Sequence, residues 1–301
     1  MTAEERATMK KSLLYAIVTI LVWSTMAPVV KTLLTAVPAL EALAVSSAIA
    51  VVVLLIYNVL SGKLKKMRDY SLRQYLTMAG LGFLGLFLYS ALYYRGLAEL
   101  TSQEACIVNY LWPIMIVVFS ILILKEPFTP MKGIAMLFSF AGIVILSLGG
   151  SAAGDGNRLL GILCCLGAAV VYGLFSVLNK KLNYDQTIAM MIFWLVTAAG
   201  SAVLGLATET WIPVEGSQWL GLIWMGLASY AVAYVFWALA LSGAKNTAVI
   251  ANLAFLTPFL SVIWSAVFLK EPLQINAIIA LVLIVGGILL QSLWGRRKSS
   301  L

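Results

Sequence analysis

The tetrapeptide Leu-Lys-Glu-Pro occurs twice in this chain, at Leu124 to Pro127 and at Leu269 to Pro272, 145 residues apart. Each copy stands between two long apolar runs. Laying one on the other aligns residues 121–150 with 266–295 without a gap, at 11 identities in 30, and brings Pro113 onto Pro258. A bend, a turn and a following helix kept in register mark a duplicated half, which confines the chain to folds made of two like units packed on each other.

Composition decides the solvent around those units. Apolar residues make up 62% of the chain and charged ones 11%, too few charges to solvate the surface of a soluble domain. Stretches long enough to cross about 30 Å of hydrocarbon, about 20 residues each, fall near 11–33, 39–61, 74–95, 101–124, 131–149, 159–179, 187–207, 218–241, 246–269 and 274–294. The runs are continuously apolar, without the period-two alternation of a membrane β-barrel. The expected fold is therefore an all-α polytopic membrane protein of ten transmembrane helices. Its two five-helix repeats are residues 1–150 and 151–301, with Gly149 to Asn157 a flexible junction.

Charge gives an orientation. With a cytoplasmic N-terminus, 16 of the 20 Lys and Arg residues fall on inner segments. Only Lys31, Arg95, Arg158 and Lys270 remain outside, so the positive-inside rule places both termini in the cytoplasm of a cell membrane. Arg6, Lys10 and Lys11 precede the first span without a small-residue cleavage site, so that span is expected to be retained. The net charge of +8 is then a matter of topology, and no loop is long enough for a nucleic-acid-binding module. Five spans, an odd number, separate equivalent points of the halves. The repeats are therefore inverted, the arrangement that lets one half rock against the other about a midplane site by alternating access. A monomer suffices for this.

Three of the eight prolines, Pro28, Pro113 and Pro258, lie within spans. Each removes an amide donor and pushes away the carbonyl four residues earlier, here those of Ser24, Asn109 and Ala254. Such kinks belong against protein or a wet cavity, and Pro113 and Pro258 are repeat mates. Amphipathic side chains gather near them: Trp23-Ser24-Thr25 in span one, Asn109-Tyr110-Leu111-Trp112 in span four, Asn252 and Thr257 in span nine. Tyr89, Tyr93 and Tyr94 lie in span three. Tyr230, Tyr234 and Trp237 form a stripe on span eight, either a pocket wall or packing.

Ionisable groups at membrane depth are costly. Glu104, in the first turns of span four, is a candidate for a substrate ammonium or for proton coupling; the alternative is a helix-start carboxylate favoured by the macrodipole. Lys31 and Lys180 are explained by snorkelling to the interface. Cys106, Cys164 and Cys165 all fall within spans and read as small apolar residues, and the chain has no histidine, so no metal site or cofactor is expected.

The ten-span layout, the doubled half and the Lys-Glu-Pro turn leading into a Gly-rich helix resemble EamA-type members of the drug/metabolite transporter superfamily, over essentially the whole chain. Leu21 to Met26, Val108 to Pro113 and Tyr89 further resemble stretches of its YddG-type branch of aromatic amino acid exporters. The resemblance implies a basket of helices around a cavity lined by spans one, three, four, six, eight and nine, with five and ten at the back. Trp23, Tyr89, Asn109, Tyr110, Trp112 and Pro258 would face or shape that cavity. Thr101-Ser102-Gln103 departs from the branch, which carries a histidine there.

The expected function is a secondary transporter that exports a small amphipathic metabolite, an aromatic or other neutral amino acid. Rival readings are another solute, such as a cationic amine or purine-like metabolite, and a receptor or scaffold without flux. An intramembrane enzyme would need a nucleophile with a base, or paired carboxylates, and no such set lies within a span. No nucleotide-binding loop is present, which excludes direct ATP hydrolysis by this chain.

Overall fold

The computed structural model of the chain describes residues 3–125, 127–149, 156–180, 182, 184–242, 253–254 and 256–299. Among them the regular elements are all helical. The apolar helices, in chain order, are α1 (Met9–Leu33), α2 (Ala39–Leu60), α3 (Leu72–Glu99), α4 (Ser102–Leu124), α5 (Pro130–Leu146), α6 (Arg158–Lys180), α7 (Gln186–Thr208), α8 (Ser217–Ala240), α9 (Leu256–Phe268) and α10 (Ile275–Leu290). Seven of these are long and apolar enough to cross a membrane; α5, α9 and α10 are shorter.

The core is apolar, and so is much of the surface. Leu60, Val203 and Ile275 are 82%, 73% and 76% exposed, whereas Ser46, Ser47, Asn58, Thr197 and Ser201 are fully buried. Apolar side chains outside and hydroxyls inside suit a surface wetted by lipid, and the chain is a multi-pass membrane protein.

Local chemistry sets the helix ends. Ser71 and Gln74 form a reciprocal capping box at the start of α3. The two Leu-Lys-Glu-Pro copies end α4 and α9 in the same way. Lys125 and Lys270 are the only described non-glycine residues with positive φ, 55° and 54°. A left-handed residue is the usual stop of a helix, although glycine normally takes that place. The carbonyls of Ser120 and Ser265, themselves 145 residues apart, receive amides of these two turns: Lys125 N–H on Ser120, Leu269 and Glu271 N–H on Ser265.

α2 packs along α7 and α5 along α10. α1 lies against α8 and α9, α6 against α3 and α4, and α4 against α9. Adding five to each helix number, counted round the ten, turns every one of these pairs into itself or into another of the set. Close approach is built in where the sequence supplies small residues: a Cβ on Gly173 of α6 would overlap Met115 of α4, and one on Gly142 of α5 would stand 2.9 Å from the Ala280 carbonyl of α10.

The two ends of the bundle are tied differently. At one, Lys63 and Lys66, in the 3₁₀ turn Lys63–Asp69 after α2, flank Asp185 at 3.6 and 3.0 Å. At the other, the Glu209 carboxylate accepts from the Leu40 and Glu41 amides that open α2, and Glu271 does the same for α4. These are called below the Asp185 face and the Glu271 face.

Candidate functional site

Each membrane proline interrupts its helix where the lost hydrogen bond requires. α1 is broken at Thr25, three residues before Pro28, and α4 at Tyr110 and Leu111, before Pro113. Ala254, four residues before Pro258, is also a turn. Its carbonyl accepts from the Tyr110 hydroxyl at 2.6 Å and from the Thr257 amide at 3.0 Å. The acceptor that Pro258 frees on α9 is therefore taken by the side chain next to Asn109, and is not left for a substrate ammonium. At the first break the Ser24 hydroxyl accepts from the Trp264 indole at 2.9 Å and donates to the Leu21 carbonyl at 2.8 Å.

Two π-helical segments, which the sequence does not signal, shape the aromatic cluster. They are Phe83–Leu88 in α3 and Trp224–Val232 in α8, at overlapping positions of the repeat. A π turn displaces carbonyls from their usual donors. The Ser229 carbonyl accepts from the Trp23 indole at 3.2 Å and that of Ala233 from Thr19 at 3.2 Å.

The rings fall into two symmetric pairs, tied together by a side-chain hydrogen bond between Tyr172 and Tyr234. Tyr89 lies 5.0 Å from Tyr172 of α6, and Tyr234 lies 5.2 Å from Trp23 of α1. Tyr89 and Tyr234 are 145 residues apart; Trp23 and Tyr172 are 149 apart, the offset of Lys31 and Lys180. Trp112 stands edge-on to Tyr172 at 5.4 Å and to Tyr110 at 5.8 Å, and Trp237 lies 5.5 Å from Trp23. Tyr230, by contrast, is packed away: it stacks on Trp194 of α7 at 4.0 Å and shares a 2.7 Å hydroxyl contact with Tyr94. The stripe on α8 thus divides, Tyr230 into the core and Tyr234 and Trp237 onto a cavity.

That cavity, about 470 Å³, lies between α2, α7 and α8, lined by Leu54, Met190, Tyr234, Val235 and Trp237 with Gln186 and Thr187 as polar lining. The resemblance implied an open centre lined by spans one, three, four, six, eight and nine. Rings from α1, α3, α4 and α6 gather near the breaks, and this cavity lies beside them toward the Asp185 face. There α8, held to α2 chiefly through its π segment, leaves a gap below it.

Asn109 is 7% exposed, and its amide donates to the Tyr89 hydroxyl at 3.1 Å. Among the described residues its Oδ1 has no partner, nor do the hydroxyls of Thr257 and Ser229. A buried acceptor held in place by its own amide group and left open is what a ligand donor requires. Asn252 lies outside the described residues, as does Glu126 of the first tetrapeptide.

Glu104 is brought to a different partner. It is 1% exposed and accepts from Arg158 Nη2 at 2.9 Å, and Arg158 also donates to the Leu146 carbonyl at 2.8 Å. The carboxylate therefore joins α4 to the start of α6 at the Glu271 face, away from the rings. Lys31, which the sequence reads as snorkelling, has carbonyl partners at the end of a neighbouring span. Its ammonium donates to the carbonyls of Leu97 at 2.6 Å and Leu100 at 2.7 Å, closing the end of α3.

Sequence reasoning missed Tyr172 and Trp194, the hubs of the two ring groups. Tyr172 was accessible through the 149-residue offset from Trp23; Trp194 has no repeat signal, and only its packing reveals it.

Known proteins resemble this arrangement throughout its length. The model of a family described as EamA-like transporter family matches residues 10–148 and again 159–293. The aromatic amino acid exporter YddG of Ancylobacter novellus is 31% identical over 219 residues, covering 72% of this chain and 76% of that protein. The uncharacterized transporter YvbV of Bacillus subtilis is 30% identical over 217 residues, covering 69% and 68%. A solved crystal structure at 27% identity superposes with a TM-score of 0.70 and covers 96% of this chain and 99% of its own. Two matches to one family model, spanning nearly all of the helices described above, establish that the chain belongs to the EamA-like transporter family.

Proposed function

We propose that this chain is a ten-span secondary transporter of the cytoplasmic membrane, with both termini in the cytoplasm, that exports an aromatic or other bulky neutral amino acid by alternating access. The observation that carries the substrate class is Asn109 Oδ1, a buried acceptor without a partner beside the rings of Tyr89, Tyr110, Trp112 and Tyr172. The acceptor suits an ammonium, and the rings suit a flat side chain. The name of the Ancylobacter relative, an aromatic amino acid exporter, supports the same class.

Alternating access is supported by the pairs α2–α7, α5–α10, α1–α8, α1–α9, α3–α6, α4–α6 and α4–α9, each of which maps onto itself or another of them when each helix is exchanged for the one five places on. The Glu271 face is tied shut while the cavity lies toward the Asp185 face, the asymmetry of a carrier open to the cytoplasm. A cationic amine is the second reading: the Oε1 of Glu104 is held by Arg158, but its Oε2 is buried without a partner among the described residues. The partners under this reading are a small-molecule substrate and the lipid bilayer; a monomer is sufficient, and nucleic acid has no place.

Purified protein in proteoliposomes, loaded with labelled tryptophan, phenylalanine or tyrosine, tests the proposal. Saturable efflux that Asn109→Ala weakens is the expected result; no saturable movement of any aromatic amino acid overturns the substrate class.

A further inference from the structure

The Glu271 face is closed by two carboxylates of the second half, each seated on the opening amides of a helix of the first. Glu209 accepts from Leu40 N at 3.0 Å and Glu41 N at 3.3 Å. Glu271 accepts from Ser102 N at 2.7 Å and Gln103 N at 3.1 Å. A carboxylate on a helix N-terminus gains from charge-assisted hydrogen bonds and from the helix dipole.

The two seats differ in what else holds their helices. α2 and α7 are also tied at the opposite face, where Thr187 Oγ1 donates to Asn58 Oδ1 at 2.7 Å and Asp185 binds the turn after α2. α4 and α9 meet at the Glu271 face through the turn that carries Glu271. Gln103 Nε2 donates to the carbonyls of Glu271 and Pro272 at 3.3 and 3.2 Å, and Ser102 and Ser265 share a 2.9 Å hydroxyl contact. Lys270, at φ 54°, turns the chain back so that Glu271 reaches α4.

We propose that Glu271, the acid of the second Leu-Lys-Glu-Pro, is the latch of a gate between α4 and α9, a positioning residue that holds the Glu271 face shut until the cycle releases it. The inference rests on the transport reading. Ser102 and Gln103 are 0% and 3% exposed while the carboxylate sits on their amides, so the latch gives way as the two helices part and water reaches both partners. Arg158 with Glu104 and Lys31 with the end of α3 reinforce the same face without joining α4 to α9. Glu271 supplies the charged pair of bonds between these helix ends, and its departure leaves only the neutral contacts of Ser102, Gln103 and Tyr110 to hold them.

The chain carries its own reporter. Cys106 lies four residues after Ser102, on the same face of α4, 8% exposed and with its thiol against Ser261 of α9. In a Cys164→Ala, Cys165→Ala background, a membrane-impermeant maleimide is applied without substrate to intact cells and, separately, to inverted vesicles. Glu271→Gln is expected to speed labelling of Cys106 by about tenfold, from the Glu271 face alone. Glu271→Asp, which keeps the charge on a shorter arm, falls between and serves if the glutamine variant does not fold. Glu126→Gln, the same change in the other tetrapeptide, leaves that labelling unchanged. Unaltered labelling in Glu271→Gln and Glu271→Asp, or an equal rise in Glu126→Gln, overturns the latch. Because no substrate is present, a failed flux assay would remove the substrate class and leave this result standing.

Discussion

The Tyr110 hydroxyl donates to the Ala254 carbonyl at 2.6 Å, so the group that Pro258 deprives of a helical donor is satisfied from the repeat-related helix. Tyr110→Phe should lower thermal stability by about 0.5–1.5 kcal/mol, the net worth of one hydrogen bond, since the Ala254 carbonyl keeps the Thr257 amide. Pro258→Ala restores an amide four residues after Ala254. The double variant should therefore lose less than the sum of the two single changes, by about 0.5 kcal/mol or more in a double-mutant cycle. Additive losses would mean that proline and tyrosine are not coupled.

Asn109 is oriented by Tyr89, which accepts its amide at 3.1 Å. Asn109→Ala should raise the KM for an aromatic amino acid about tenfold and abolish its thermal-shift stabilisation. Tyr89→Phe, which keeps the ring but frees the amide to rotate, should produce a smaller rise. Equal effects on KM, or an effect of Asn109→Ala confined to kcat, would place the asparagine outside substrate binding.

Asp185 gives the fold a pH dependence of known sign. Burial pushes its carboxyl up. Hydrogen bonds from Thr187 and Lys66, with the charge of Lys63, outweigh that and hold it at about 2, below its ordinary 3.8. Because the folded value is the lower one, the stabilisation is complete above pH about 3.8 and is lost as the pH falls through about 2. Asp185→Asn should lower Tm at neutral pH, and the gap from the parent should close as the pH drops across that window. A gap that persists at the acid end would assign the effect to packing.

Lys270 holds a left-handed backbone in which a side chain costs about 1 kcal/mol relative to glycine. Lys270→Gly should raise Tm, and Lys270→Val, with its branched Cβ, should lower it. The opposite order would show that the lysine side chain outweighs its backbone.

Much of this was legible in the chain. The apolar runs predicted ten spans, and among the described residues seven helices are long enough to cross a membrane and three are shorter; the prolines predicted breaks near Thr25 and Tyr110 because removal of one amide acts locally. The freed Ala254 carbonyl was foreseen, but its partner was not, since Tyr110 is 144 residues away and only packing brings it there. Helical periodicity put Tyr230 beside Tyr234. The π segment ending at Val232 rewinds that part of α8, and Tyr230 turns onto Trp194. Glu104 was singled out for its depth, yet the meaning of a buried charge depends on its partner, and Arg158 lies 54 residues away beyond another helix.

The pairing of α2 with α7 and of α5 with α10 also bears on biosynthesis. When the first five helices leave the ribosome, neither partner exists, and Ser46, Ser47 and Asn58 of α2 lack the neighbours that bury them in the finished bundle. The nascent half must wait in the translocon or in lipid with a polar stripe uncovered. A stall before α7 is made would leave that stripe to the quality-control proteases of the membrane, so the second half acts as the chaperone of the first.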